Sequence, residues 1–206
     1  MLSQEKKSDH HPSQSAARAH VPGRKKIDVP REQIDVVAGM HRNPEFLGKN
    51  PDGTVPLLEL DDGNYISETV AISRYFEEKY PHPPLMGKNA GQKATVEMWQ
   101  RRVEHSLMNT LVAYFHHGTQ GFGEPDRYRN REWGKYNRNL AIEAMKQVDR
   151  QLAKDTYIAG DTFSIADITA LCALDLAMAL GLEIPEECTH LKNWHADVSG
   201  RESAAA

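Results

Sequence analysis

Two groups of residues within the stretch 50–80 could do chemistry together. Val55-Pro56 leads into a short apolar run, Leu57-Leu58-Glu59-Leu60. A proline entering a strand cannot donate to the ladder and belongs at an edge or a bulge. Were the bond before it cis, the Val55 N–H and C=O would face outward, free to pair with an extended chain. Ser67-Glu68-Thr69 stands at a helix start. The free N–H groups and positive dipole end there favour an anion. The Glu68 carboxylate can take an ammonium and the Thr69 hydroxyl a carboxylate, which suits the zwitterionic head of an amino acid. Together the two groups describe a site for a short peptide with a free α-amino-acid end. From spacing alone the same residues also read as a strand-edge proline and an ordinary helix cap.

The neighbouring sequence supplies what must position them. Asn50-Pro51-Asp52-Gly53 is a turn, since Pro presets φ and Gly accepts φ > 0. Asp61-Asp62-Gly63-Asn64 is a hairpin connection between strands at 57–60 and 65–66. Ser67 is the N-cap candidate, with Glu68 in the first turn. Val70, Ile72, Tyr75 and Phe76 then form an apolar helical stripe that Pro81 ends. Upstream, the β-branched run Gln33-Ile34-Asp35-Val36-Val37 predicts a strand, and Asn43-Pro44 opens a short helix with Pro at the first helical position.

The prolines and closing glycine of 81–87 mark a boundary, and everything beyond reads as helix. Long amphipathic patterns run over 90–117 and 128–152. Phe163-Ser164-Ile165-Ala166-Asp167 opens an almost wholly apolar third helix with a capping box, Ser164 to Asp167, and a hydrophobic staple, Phe163 to Ile168. The expected architecture is α/β plus all-α. It comprises a small α/β domain at 27–82, a linker at 83–89 and a helical domain at 90–206. Residues 1–26 are polar, rich in His and Ser and without apolar periodicity, and read as a disordered tail.

Composition narrows the function. A net charge of −4 over 206 residues gives no electrostatic case for nucleic acid. No apolar run approaches the roughly 18 residues of a membrane span, and the N-terminus has no apolar signal region. The two cysteines, Cys172 and Cys188, have no metal-ligand spacing, and the pairs His10-His11 and His116-His117 diverge around a helix, so no metal is expected. Cysteine usage suits a reducing cytoplasm.

The stretch NPDGTVPLLELDDGNYISETVAISRYFEEKYP resembles the second half of the N-terminal domain of cytosolic glutathione S-transferases, and AGDTFSIADI resembles the capped central helix of their C-terminal domain. The resemblance spans roughly 27–203. It implies a thioredoxin-like domain followed by a helical bundle, glutathione as co-substrate, a small electrophile, no metal, a cytoplasmic role in detoxification and a homodimer. It implies that Val55, with Pro56 in cis, holds the cysteinyl backbone of glutathione. Glu68 and Thr69 would hold its γ-glutamyl end, and His41 would lie near the glycyl carboxylate.

The family begins with a strand, a catalytic loop and a first helix, and residues 1–26 do not match that unit. Asp9-His10-His11-Pro12-Ser13 resembles only the end of the catalytic loop, which makes Ser13 the catalytic candidate: its hydroxyl would donate to the glutathione thiolate and lower its pKa. Read one base out of frame with free synonymous codons, residues 15–26 permit Ala-Arg-Arg-Val-Arg-Met-Phe-Leu-Ala-Glu-Lys. That segment resembles the family's first helix and runs directly into Ile27. Sequencing the coding DNA tests this; codons that forbid it would sink the idea. The leading function is a transferase. The alternative is a glutathione-binding or protein-interaction module with little catalysis. A thiol oxidoreductase ranks last, because no cysteine precedes Cys172.

Overall fold

In the computed structural model, which describes residues 24, 25, 27, 29–123 and 128–201, Asn43 opens helix α1 (Pro44–Lys49). Its side-chain oxygen accepts the Phe46 N–H at 2.7 Å, and Pro44 occupies the first turn, where its missing N–H costs nothing. The turn at Asn50-Pro51-Asp52-Gly53 forms as expected: the Gly53 N–H bonds the Asn50 carbonyl at 2.9 Å, with φ 57° at Gly53. Strands β1 (Leu57–Glu59) and β2 (Tyr65–Ser67) pair antiparallel, with Leu57 opposite Ser67 and Glu59 opposite Tyr65. Gly63 takes φ 82° in the hairpin between them. Helix α2 (Thr69–Lys79) follows, burying Ser73, Phe76 and Glu77.

Two expectations are corrected here. Residues 33–37 carry no strand; the chain turns at 36–39 instead. Asp35 drives this, its Oδ1 accepting the Ala38 N–H at 2.8 Å and its carbonyl the Met40 N–H at 2.9 Å. Such local side-chain bonds compete with a ladder, and among the described residues the sheet has only β1 and β2. Ser67 is likewise not the N-cap of α2. It ends β2, and Glu68 takes the cap position.

Helix α3 (Ala90–Val103) starts on Asn89, whose side chain accepts the Gln92 N–H at 3.0 Å. It continues through a π-turn at Glu104–Met108 into α4 (Asn109–Gly118). Helix α5 (Arg131–Leu152) starts on Asn130, which caps the Trp133 N–H at 3.0 Å. Where α4 ends against the start of α5 the backbones touch: a Cβ on Gly134 would lie 2.3 Å from the Gly118 nitrogen. Elsewhere in a helix, alanine in place of glycine gains up to about 1 kcal/mol. Here the rigid backbone opposite cannot yield, so overpacking wins. Gly134→Ala is expected to destabilise by about 1–3 kcal/mol, read as a lowered melting temperature.

Helix α6 (Ile165–Ala179) is the centre of the helical half, with Ala166, Ala170, Cys172, Ala173, Leu174 and Ala177 at 0 % exposure. The expected capping box is present. The Ser164 N–H and Oγ–H donate to Asp167 Oδ2 at 2.9 and 3.0 Å, while Asp167 Oδ1 accepts the Ile158 N–H at 3.0 Å and the Trp194 indole N–H at 3.1 Å. Burial pushes the Asp167 carboxyl up from the usual range, and these donors pull against that shift. Trp194 belongs to α7 (Thr189–Ser199), so one carboxylate ties a loop, a helix start and the last helix together.

One apolar cluster runs from Phe76 of α2 and Leu85 through Val103, Leu107, Met145 and Leu174 to Val198, with Leu58, Ile72 and Tyr75 packed against it. The α/β segment therefore shares the core of the helical bundle. Arg24 and Lys25, just ahead of the expected globular start at Ile27, carry helical backbone. The Lys25 side chain is fully buried: its Nζ lies 2.8 Å from the Glu77 carboxylate and donates to the carbonyls of Tyr80 at 2.6 Å and Pro83 at 2.9 Å.

Candidate functional site

The β-ribbon closes at Gly63 and opens at the other end. Following the register outward from Leu57 opposite Ser67, the next residues are Pro56 and Val55 on one side and Glu68 and Thr69 on the other. The four residues singled out from sequence thus converge on one end of the ribbon, at the mouth of α2. The Val55-Pro56 peptide bond is cis, and among the described residues the Val55 N–H and C=O take no hydrogen bond. A second cis bond, His82-Pro83, gave no signal in the sequence.

Glu68 is the residue sequence reasoning placed least well. It has φ 70° and ψ 124°, and no other non-glycine residue among the described ones has positive φ. Holding a side-chain-bearing residue there costs on the order of 1–3 kcal/mol, and such strain concentrates at functional positions. Nothing in the residue type announces it, because glutamate has no preference for that region. Glu68 also caps nothing: its side chain makes no capping bond, and it is exposed without an ion pair among the described residues. Its carboxylate is therefore available.

Thr69, half-buried, begins α2, and its carbonyl accepts the Ser73 hydroxyl at 2.7 Å. The first N–H groups of α2, from Thr69 onward, have no partner within the helix; the first intrahelical bond is Ile72 N–H to the Glu68 carbonyl at 2.9 Å. An acceptor for ammonium and a row of donors for carboxylate thus stand side by side. Both are needed to hold an α-amino-acid head.

The loop carrying Val55 is fixed from behind. Asn50 is 3 % exposed, and its amide donates to the Thr54 carbonyl at 2.8 Å and to the Thr54 hydroxyl at 3.1 Å. Gly53 closes against the 3-10 turn Met40–Arg42: a Cβ on it would meet the His41 carbonyl at 3.0 Å. His41 is therefore coupled to the Val55 loop through backbone contact. Its Nδ1 is buried without a partner. Burial, and then the Arg42 charge, lower the His41 pKa below 6.5, so the ring is neutral at pH 7. Ser13 lies outside the described residues.

The remaining reactive groups give little. Burial pushes the Cys172 thiol up to about 12 and raises that of Cys188 as well. With no other cysteine in the chain, no side-chain thiol is poised as a nucleophile near neutral pH. Among the described residues no group of three or more His, Cys, Asp or Glu could hold a metal ion, and no helix is long and apolar enough to cross a membrane.

With this geometry in place, the likeness to known proteins is specific. Residues 24–79 match the glutathione S-transferase N-terminal domain and residues 110–202 the glutathione S-transferase C-terminal domain. The chain is 42 % identical over 172 residues to glutathione S-transferase 2 of Saccharomyces cerevisiae, covering 83 % of this chain and 74 % of that one. The crystal structure of Gtt2 from the same yeast superposes with a TM-score of 0.91 at 38 % identity, over 95 % of both chains. That of a glutathione S-transferase domain-containing protein from Marinobacter aquaeolei superposes with a TM-score of 0.90 at 35 % identity, over 93 % of this chain and 95 % of that one. The chain belongs to the glutathione S-transferase family, with a thioredoxin-like N-terminal segment and a helical C-terminal bundle.

Proposed function

We propose that this protein binds glutathione at the open end of the β-ribbon and transfers its thiolate to a small electrophile. The observation that carries the reading is Glu68: a strained residue whose carboxylate is spent on nothing, beside the free N–H groups of α2 and the unbonded backbone of Val55. Glu68 takes the γ-glutamyl ammonium, and Thr69 with the helix start takes its carboxylate. Val55 pairs with the cysteinyl backbone, and neutral His41 faces the glycyl end.

The chemistry is a nucleophilic displacement or addition. The thiol proton passes to solvent and the sulfur lone pair forms the bond to carbon; in a displacement a leaving group departs with the bonding electrons, and in an addition the electrons of the broken π bond take up a proton from solvent. A cysteine-type thiol with pKa near 8.5 is only a few per cent ionised at pH 7, so a hydroxyl donor to sulfur raises the reactive fraction. Ser13 is the proposed donor. The proposed domain division follows the sequence, with 27–82 binding glutathione and 90–206 presenting apolar surface to the electrophile. A cytoplasmic homodimer is the setting the family suggests.

Retention on immobilised glutathione, paired with an aryl-halide conjugation assay, tests the reading. Retention with turnover is expected, and Ser13→Ala is expected to keep retention while slowing conjugation at pH 7 by up to about 30-fold, the gain available to a thiol that is otherwise a few per cent ionised. Retention without turnover in the native chain would leave only a binding protein, and absence of retention would overturn the proposal.

A further inference from the structure

Every polar group of Asn50 helps to hold the loop that ends at Val55. Its backbone N–H donates to the Phe46 carbonyl of α1 at 2.8 Å, and its own carbonyl accepts the Gly53 N–H at 2.9 Å. Its Oδ1 accepts the Asp52 N–H at a long 3.4 Å. The closer side-chain bonds are made by Nδ2, to the Thr54 carbonyl at 2.8 Å and the Thr54 hydroxyl at 3.1 Å. An asparagine that only shaped the turn would rely on its oxygen, bonded to the backbone two residues on. Here the amide donor makes the stronger contacts, and only the nitrogen of the amide can meet a carbonyl. Asn50 is buried although Pro51, Asp52 and Thr54 around it are exposed.

The Thr54–Val55 peptide carries this anchoring to the site. It is trans, and a trans peptide is planar, with its C=O and N–H pointing opposite ways. Drawing the Thr54 carbonyl onto Asn50 Nδ2 therefore turns the Val55 N–H away from the loop, where among the described residues it has no partner. Without the Nδ2 donor, that plane would rotate through ψ of Thr54 and φ of Val55 with no bond to select the outward direction. Support runs from Phe46, buried in α1, through Asn50 and the Thr54 carbonyl to the Val55 N–H.

We propose that Asn50 is a positioning residue for glutathione: its amide donor fixes the Thr54–Val55 peptide so that the Val55 N–H is already directed at the cysteinyl carbonyl before the ligand arrives. This rests on the glutathione reading of the site. Asn50 acts through Val55, and the ordering it provides in the free protein need not be supplied on binding. The donor is what matters, not the shape. Aspartate has the same outline but presents a carboxylate oxygen to the Thr54 carbonyl. Two acceptors repel, so the carbonyl turns away and takes the Val55 N–H with it. Protonation of that carboxyl restores an O–H donor at the same place, and burial raises its pKa.

Calorimetric titration of glutathione into the native chain, Asn50→Asp and Asn50→Ala, at about pH 8 and about pH 5, tests the role. Each variant is compared with the native chain at the same pH, which cancels the titration of His41. Asn50→Asp should bind about tenfold more weakly or worse at the higher pH and recover to within about threefold at the lower. Asn50→Ala, with no donor at either pH, should stay weak at both. Cooperative melts identify folded protein. Native-like affinity of folded Asn50→Asp at the higher pH, or a deficit unchanged at the lower, would overturn the proposal. In the native chain the Asn50 Nδ2 protons should exchange slowly with solvent, with or without glutathione. Exchange at the rate of a free amide would overturn it whether or not a variant folds. No binding to the native chain would overturn the glutathione reading and this inference together, whereas native binding that Asn50→Asp leaves intact overturns this inference alone.

Discussion

Replacing Glu77 with Ala is expected to destabilise the chain by about 3–5 kcal/mol, the cost of stranding a buried charge. The Glu77 carboxylate faces Lys25 Nζ at 2.8 Å and accepts the N–H groups of Leu85 at 2.9 Å and Met86 at 3.0 Å. It sits near the end of α2, so one side chain joins the earliest described residues, the helix that carries Glu68 and Thr69 at its other end, and the segment leading to α3. Alanine would leave the Lys25 ammonium fully buried without its counter-charge and two amides without acceptors. For a chain of this size each kcal/mol lowers the melting temperature by roughly 2–4 °C, so a fall on the order of 10 °C is expected in a thermal melt. Lys25→Met, of similar length and uncharged, should cost less than Glu77→Ala, because the Glu77 carboxylate it leaves without a counter-charge still accepts the Leu85 and Met86 N–H groups. Comparable melting temperatures for native protein and Glu77→Ala would show that the contact contributes little.

Replacing Glu68 should separate binding from folding. Glu68→Ala removes the proposed acceptor of the γ-glutamyl ammonium and keeps a side chain at φ 70°. A hydrogen bond to a charged group is worth about 1.5–3 kcal/mol, so glutathione affinity should fall roughly 10- to 100-fold with little change in stability. Glu68→Gly should weaken binding as much and yet stabilise the fold by about 1 kcal/mol. Relief of the positive-φ strain there exceeds what glycine loses in chain entropy. A variant that is more stable and binds less well is the signature of strain kept for function.

Most of the local geometry around the candidate site is legible in the sequence because turn chemistry is local. Asn50 to Gly53, Gly63 and the Asn43 cap each satisfy their backbone within a few residues, so residue types alone placed them. The capping box on α6 was readable for the same reason. The Val55-Pro56 motif and the Glu68-Thr69 pair were found from the chemistry they could do, and the register of a single hairpin brings them together.

What escaped depended on long-range partners. Residues 33–37 had a strand composition, but a strand needs a neighbour, and Asp35 turned the chain instead. Ser67 was a plausible cap, yet pairing with Leu57 drew it into β2 and forced the turn onto Glu68. The Lys25–Glu77 contact joins residues 52 positions apart (77 − 25) and has no local signature.

Calorimetric titration of glutathione into the native chain and into Glu68→Ala tests the central claim most directly. About one equivalent per chain should bind the native protein, and at least tenfold weaker binding should be seen for the variant, with coincident melting curves. Equal affinity in the two proteins, or no heat of binding to the native chain, would contradict it.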